Sequence, residues 1–319
     1  MVDASPLEAL QRLFREHGFV GVIAAGFADA GGSTRWMGAA GLADIDAGEE
    51  LTPGRRMPAA SITKLLTSTL VLRLVAEDLV HLDDAANQHL STVTLASDAV
   101  TVRHLLTHTG GVRSDFEHFV DDVPPATEIL GRRVDVEFEP GSEYRYSNGG
   151  YAVLGEILSH VRGASFADIV EREIFEPLGM TDSEIMTRWP ADAPTGYTTV
   201  DGATVEAPRK VPSVPPAGGL YTTVGDLGRF LAGWRVLLTE DLAAEATSSA
   251  VEVGHGRWRG YAWAIITMNG QPVVGHSGGV LGFRSSLLWN LTTGRASAML
   301  VNSEHDWTCL LYTSPSPRD

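Results

Sequence analysis

Wound at 3.6 residues per turn, residues 61 to about 79 are apolar on nearly every side. A helix of that kind has no face to give to water, so the rest of the chain must close around it. The run therefore predicts a buried central helix. Its first turn reads Ser61-Ile62-Thr63-Lys64, and Lys64 is one of only two lysines among the 24 basic residues, the other being Lys210 in a Pro-rich stretch. A desolvated lysine can lose its proton and act as a base, and an arginine cannot. A serine three residues earlier shares its helix face, which is the arrangement of a nucleophile beside its base.

The remaining chain is long enough to supply the enclosure. Its 319 residues form one large domain or two interleaved ones, and 44% hydrophobic with 20% charged residues is ordinary for a globular protein. A net charge of −16 argues against nucleic acid or an anionic membrane as partner. No apolar run is long enough to span a bilayer. The N-terminus, Met1-Val2-Asp3-Ala4-Ser5-Pro6, has neither a basic nor an apolar leader region, so the product as written is expected to be cytoplasmic. Residues 309–319 resemble a translated sequencing-library adaptor rather than a natural Ser/Pro-rich tail and are set aside as an artefactual scar. On that reading the single cysteine, Cys309, has no native role, and the natural chain is cut short near Thr308.

Ser5 and Pro6 start a first helix that Gly18 stops, followed by strands over 20–27 and 36–42 around a turn at Gly31-Gly32. The middle is mainly helical. Thr101 caps a short helix, another runs over 150–161, and a third opens at Ser165 with Asp168 as its capping box and ends before Pro177. Residues 184–216 hold six prolines and read as a long loop. A helix opening at Thr223 covers 227–238. The period then changes to an antiparallel meander over 261–267, 273–276, 283–289 and 296–301. The expected fold is α/β (α+β), an antiparallel sheet built from N- and C-terminal strands (1–60 plus 217–308) and flanked by helices, with residues 61–216 as a mainly helical insertion.

Three short motifs occur in order: Ser61-x-x-Lys64, Tyr146-Ser147-Asn148 and His276-Ser277-Gly278. In this composition the first is expected by chance about 0.14 times and Tyr-x-Asn about 0.11 times, so each is weak alone and the set is strong. Context adds to it. The first opens the buried helix, the second precedes a helix, and the third ends a strand.

With these motifs the chain resembles, over residues 6–308, the serine hydrolase superfamily of class C β-lactamases, serine D-Ala-D-Ala peptidases and family VIII carboxylesterases. The likeness extends to His104-Leu105-Leu106-Thr107-His108-Thr109-Gly110-Gly111, Pro140-Gly141-Ser142, Gly149-Gly150-Tyr151, Glu176-Pro177-Leu178-Gly179-Met180 and Ala217-Gly218-Gly219-Leu220-Tyr221. The resemblance implies a β-lactamase/transpeptidase-like fold and an acyl-enzyme on Ser61, with Lys64 and Tyr146 handling protons. Tyr146 becomes a useful base only where positive charge favours its phenolate. Asn148 is expected to bind a substrate carbonyl or orient Lys64. His276, Ser277 and Gly278 border the substrate, and the backbone N–H groups of Ser61 and Gly279 form the oxyanion hole. The superfamily also implies a C-terminal helix beside the first helix, absent here if the tail is adaptor, which leaves the 319-residue product less stable than its parent. The lactamases most often place lysine where this chain has His276. An imidazole is a weaker carboxylate anchor than an ammonium, which argues against efficient β-lactam hydrolysis.

The expected function is a serine hydrolase acting on small esters or amides without metal or organic cofactor. A class C-like β-lactamase or D-Ala-D-Ala carboxypeptidase is the alternative. Two further readings are a catalytically slow ligand-sensing domain, and an α/β-hydrolase using Ser277 in Gly275-His276-Ser277-Gly278-Gly279, which needs a strand–turn–helix elbow. His104 and His108, four apart, lack a third metal ligand and read as structural hydrogen-bonding residues. Oligomeric state and the acyl group stay open.

Overall fold

In the computed structural model, residues 5–28, 33–248, 250–254 and 256–304 are described. The Gly31-Gly32 turn, His305 and the 309–319 tail lie outside them. The dominant element is a nine-stranded sheet in which every neighbouring pair is antiparallel. The C-terminal meander, Ala264–Met268, Gln271–Val280, Phe283–Asn290 and Ala296–Val301, runs directly into the N-terminal strands. The join is the pairing of Gly21–Phe27 with Ala296–Val301, from Val22 opposite Val301 to Phe27 opposite Ala296. The sheet assembled from both termini is thus as the sequence predicts.

Period-2 alternation decides what each face covers. Val22 and Ala24 turn toward a small cluster with Leu10, Phe19 and Val301, beneath the first helix, Pro6–His17. Ile23, Ala25 and Phe27 turn to the main core. On that side the helix Val224–Gly233 lies against Phe27 so closely that a Cβ on Gly228 would sit 2.3 Å from the ring. The first helix begins as expected: Ser5 Oγ accepts from the Glu8 N–H, Glu8 accepts from the Ser5 N–H, and Gly18 ends the helix in the left-handed conformation.

The central helix is Thr63–Ala76, with eleven buried residues and no polar face. It stops short of residue 79 because Asp78 turns left-handed (φ 59°). The Leu79 N–H then bonds back to the Leu74 carbonyl and the Asp78 N–H to that of Val75, a Schellman closure. Four expectations need correction. The helix starting after Ser165 does not end before Pro177; it continues through a π-helical turn, Glu171–Phe175, into Glu176–Leu178. The carbonyl four residues before Pro177, that of Glu173, is left without its helical donor, and the Arg73 guanidinium takes it at 2.8 Å. At its start Asp168 bonds the Ser165 hydroxyl rather than the backbone, so the reciprocal capping box is incomplete. Residues 184–216 are not one loop. They contain the hairpin Tyr197–Val200/Ala203–Glu206, closed by Asp201 and Gly202 at φ 50° and 80°, the pattern of a primed turn. They also contain Val211–Pro212, paired with Phe119–Val120. The meander is also wider than predicted by two outer strands, Val251–Gly254 and Arg257–Arg259.

Candidate active site

Ser61 sits where a strand turns into the central helix. Met57–Ala60 pairs with Leu220–Thr222, and Ala60 then adopts φ 50°, a left-handed conformation unusual for a residue with a Cβ. Strain of this kind costs on the order of 1–2 kcal/mol and persists only where neighbours fix it. Here Thr63 does so, its hydroxyl donating to the Ala60 carbonyl (2.6 Å) and accepting from the Leu220 N–H (2.9 Å). The bend brings Ser61 to the edge of the helix while Lys64, one turn on, is fully buried.

Lys64 Nζ has three oxygen neighbours: Ser61 Oγ at 3.1 Å, Asn148 Oδ1 at 2.9 Å and the Ala217 carbonyl at 2.7 Å. Burial, and after it the positive charge of Arg259, hold its pKa well below the usual lysine value. The two fixed acceptors match the two N–H bonds of a neutral amine, whose lone pair then meets the Ser61 hydroxyl. Tyr146 Oη donates to Ser61 Oγ at 2.9 Å. Burial of that hydroxyl pushes the phenol pKa up, while the Ser61 contact and Arg259 oppose the rise. In the resting protein Tyr146 is therefore a phenol, and the phenolate considered from the sequence is not its ground state. The ring itself reaches the surface, 37% exposed.

Asn148 begins the helix Asn148–Arg162, for which Ser147 is the cap, its Oγ accepting from the Gly150 N–H. That start aims Asn148 at Lys64. His276 is buried on the strand Gln271–Val280, its ring 6.3 Å from that of Tyr146. Its Nδ1 must carry a proton, because its partner at 2.6 Å is the Ser277 carbonyl. Its Nε2 is then an acceptor without a protein partner. Burial, then Arg259 and Lys64, keep the ring neutral.

The remaining expected residues divide. Gly279 lines the same cavity as Ser61 and Asn148. Gly278 is buried, and a Cβ there would fall 2.4 Å from both the Ala59 carbonyl and Ser285 Oγ, so its smallness lets this strand pack against the one leading to Ser61. Ser277 is exposed, and alternation turns it away from the side of His276. The stretch 275–279 lies inside one continuous strand, not a strand–turn–helix, which removes the α/β-hydrolase elbow.

The cavity beside Ser61 has a volume of about 160 Å³. Its walls are mostly apolar, with Phe116, Phe119, Val214 and Val280, beside the polar Ser61, His118, Asn148 and Ser213. Sequence reasoning missed the apolar walls and also Arg259, whose Nε and Nη1 are buried without partners among the described residues and whose charge reaches Lys64, Tyr146 and His276. Nothing in Arg257-Trp258-Arg259 marks one arginine as inward.

Comparison with known proteins agrees with the fold. A penicillin-binding protein 4 of Amycolatopsis lactamdurans is 27% identical over 92% of this chain and 84% of its own length. A D-aminopeptidase of Cereibacter sphaeroides is 27% identical over 88% of this chain, which spans only 55% of that protein. The solved structure of a D-amino acid amidase from Ochrobactrum anthropi SV3, complexed with L-phenylalanine amide, superposes with a TM-score of 0.79 at 26% identity, covering 92% of this chain and 90% of the amidase. No helix among the described residues is long and apolar enough to cross a membrane. The family model named Beta-lactamase matches residues 8–308, and the chain belongs to that family.

Proposed function

We propose that the protein is a serine hydrolase that cleaves small amides and esters through an acyl-enzyme on Ser61, with neutral Lys64 as the base. The observation that carries this reading is Lys64 Nζ, fully buried, between two obligate acceptors and the Ser61 hydroxyl. Ser61 Oγ attacks the acyl carbon as its proton passes to Lys64. The N–H groups of Ser61 and Gly279 are the donors for the developing oxyanion. Tyr146 then gives its phenolic proton to the leaving group. Its phenolate forms only at this stage, stabilised by the new Lys64 ammonium, and can next take a proton from water for deacylation while Lys64 returns its proton to the departing Ser61 Oγ. Lys64 and Tyr146 thus act in sequence rather than as rival bases.

The cavity volume supports a single phenyl-sized side chain, since an apolar protein cavity of about 150 Å³ holds benzene. The relatives named D-aminopeptidase and D-amino acid amidase make amides of D-amino acids the first substrates to try. The test is fluorophosphonate labelling with mapping of the modified peptide, alongside turnover of D-phenylalanine amide and p-nitrophenyl esters. Modification at Ser61 with hydrolysis of either class supports the reading. Intact Ser61 and no turnover refute it and leave the ligand-sensing alternative.

A second reading is favoured by Arg259. A half-buried guanidinium beside the site, with Nε and Nη1 unpartnered among the described residues, suits a substrate carboxylate, as in a D-Ala-D-Ala carboxypeptidase or β-lactamase. Faster turnover of acyl-D-Ala-D-Ala or nitrocefin than of uncharged esters, abolished in Arg259→Gln, would establish it.

A further inference from the structure

The His104–Gly111 motif is not accounted for by Ser61, Lys64 and Tyr146, yet His108 lies against them. Its side chain is 3% exposed. Its backbone is left-handed, φ 59°, which a residue with a Cβ adopts at a cost. From that position it reaches Tyr146 in three ways. The His108 carbonyl accepts from the Arg145 N–H at 2.9 Å, just before Tyr146. Its Nδ1 accepts from the Ser147 N–H at 3.1 Å, just after it. Its ring lies over the Tyr146 ring, centroids 4.4 Å apart and planes 32° apart, with Tyr151 5.0 Å away as a further ring contact.

We infer that His108 is the positioning residue for Tyr146, a clamp holding both flanking peptides and one ring face so that Oη stays on Ser61. The inference rests on Tyr146 serving Ser61 chemistry as proposed above. A mere space-filling ring would not need a nitrogen acceptor. With an apolar side chain here the buried Ser147 N–H loses its partner, and that N–H sits between Tyr146 and Asn148. The acceptor role also fixes the tautomer: Nδ1 carries the lone pair and Nε2 the proton. Arg259 turns positive charge toward the ring, Lys64 and His276 would do so only when protonated, and Tyr144, Tyr146 and Tyr151 are the other titratable groups around it. Burial, then Lys64, Arg259 and His276, hold the imidazole neutral, while the Ser147 contact opposes them. Protonation would convert Nδ1 into a donor facing another donor and open the clamp.

The test is a double-mutant cycle read as kcat/KM on D-phenylalanine amide or an alkyl ester, whose leaving groups need the Tyr146 proton. His108→Asn tolerates the left-handed backbone and places Oδ1 at the position of Nδ1, so it keeps the acceptor and loses the ring. His108→Gly keeps only the backbone. A displacement of about 1 Å at a reacting group costs on the order of 100-fold, so the glycine variant should turn these substrates over ~30–100-fold more slowly. The asparagine variant should recover most of that, to within roughly fivefold of the wild type. In a Tyr146→Phe background both changes should cost no more than about twofold, because the group they position is gone. Equal losses in both backgrounds would overturn the clamp while leaving Tyr146 in its role. If Tyr146→Phe alone turns over these substrates at the wild-type rate, the proposed chemistry and the clamp fall together. Should the glycine variant not fold, the asparagine arm of the cycle measures the same coupling to Tyr146.

Discussion

Replacing Lys64 by arginine preserves positive charge and removes only the ability to be neutral. The site around Nζ is closed, with oxygen atoms at 2.7, 2.9 and 3.1 Å and no exposed surface. A guanidinium there cannot take the Ser61 proton, and loss of a positioned general base is worth about 10²–10⁴ in rate. The larger head group also overpacks the pocket, at about 1–3 kcal/mol. Lys64→Arg should therefore lose ~1,000-fold in kcat/KM toward p-nitrophenyl acetate and a few degrees of melting temperature. Lys64→Met separates the two effects. It should lose comparable activity without overpacking, though Asn148 Oδ1 and the Ala217 carbonyl lose a donor at about 1–3 kcal/mol each. Stability against pH gives an independent check. Folded Lys64 titrates below its unfolded value of 10.5, so between those two pKa values the unfolded chain binds the extra proton. Stability must then rise with pH across that window, and the rise should vanish in Lys64→Met. Wild-type-like activity in Lys64→Arg, within about threefold, would refute neutral lysine as the base.

Other consequences follow from separate contacts. Gly278→Ala forces a Cβ to within 2.4 Å of the Ala59 carbonyl, so the two strands must separate and kcat should fall by ~100-fold, while a crystal structure shows the displacement. Burial lowers the pKa of both His108 and His276, so their neutral folded forms lose stability as pH drops below the free-histidine value of 6.5. The His276→Gln variant should flatten part of that acid slope in thermal melts between pH 7 and 5. Val280→Phe narrows the cavity beside Ser61 and should slow phenylacetyl esters at least ~10-fold more than acetyl esters; equal slowing would place the acyl side chain elsewhere.

Where sequence and structure agree, the signal is local chemistry or a strict period. The helix after Ser5, the meander around Asn269-Gly270 and the Ser61–Lys64 spacing each depend on neighbours a few residues apart. Tyr146 and Asn148 are legible as a motif, and their convergence on Ser61 and Lys64 follows from helix starts that Ser147 and Thr63 cap or brace. The failures are long-range. Pro177 reads as a helix stop until Arg73, 104 residues earlier, is seen taking the freed Glu173 carbonyl. Asp201-Gly202 carries a hairpin signal that the surrounding prolines obscure. Arg259 has no local signature, because its importance lies in pointing an unpaired charge inward from an outer strand. His108 reads as structural in the absence of metal ligands, although its clamp joins positions up to 39 residues apart.

Burial and the Arg259 cation favour neutral Lys64, and among the described residues no carboxylate offsets them. Asn148→Asp supplies one with almost no change of shape. At the 2.9 Å separation now held by Oδ1, a carboxylate would stabilise the ammonium by about 6 kcal/mol at an effective dielectric of ~20. Its own desolvation takes back part of this, and the Lys64 pKa is expected to rise. Since the base must be neutral, activity should appear only at correspondingly higher pH. The acid limb of kcat/KM should move alkaline, with activity lost at any pH below both limbs. Loss of a substrate contact at Asn148 would instead lower the whole profile without moving it, and Asn148→Ala should show that pattern. An acid limb unmoved in Asn148→Asp would mean the proton taken from Ser61 does not go to Lys64.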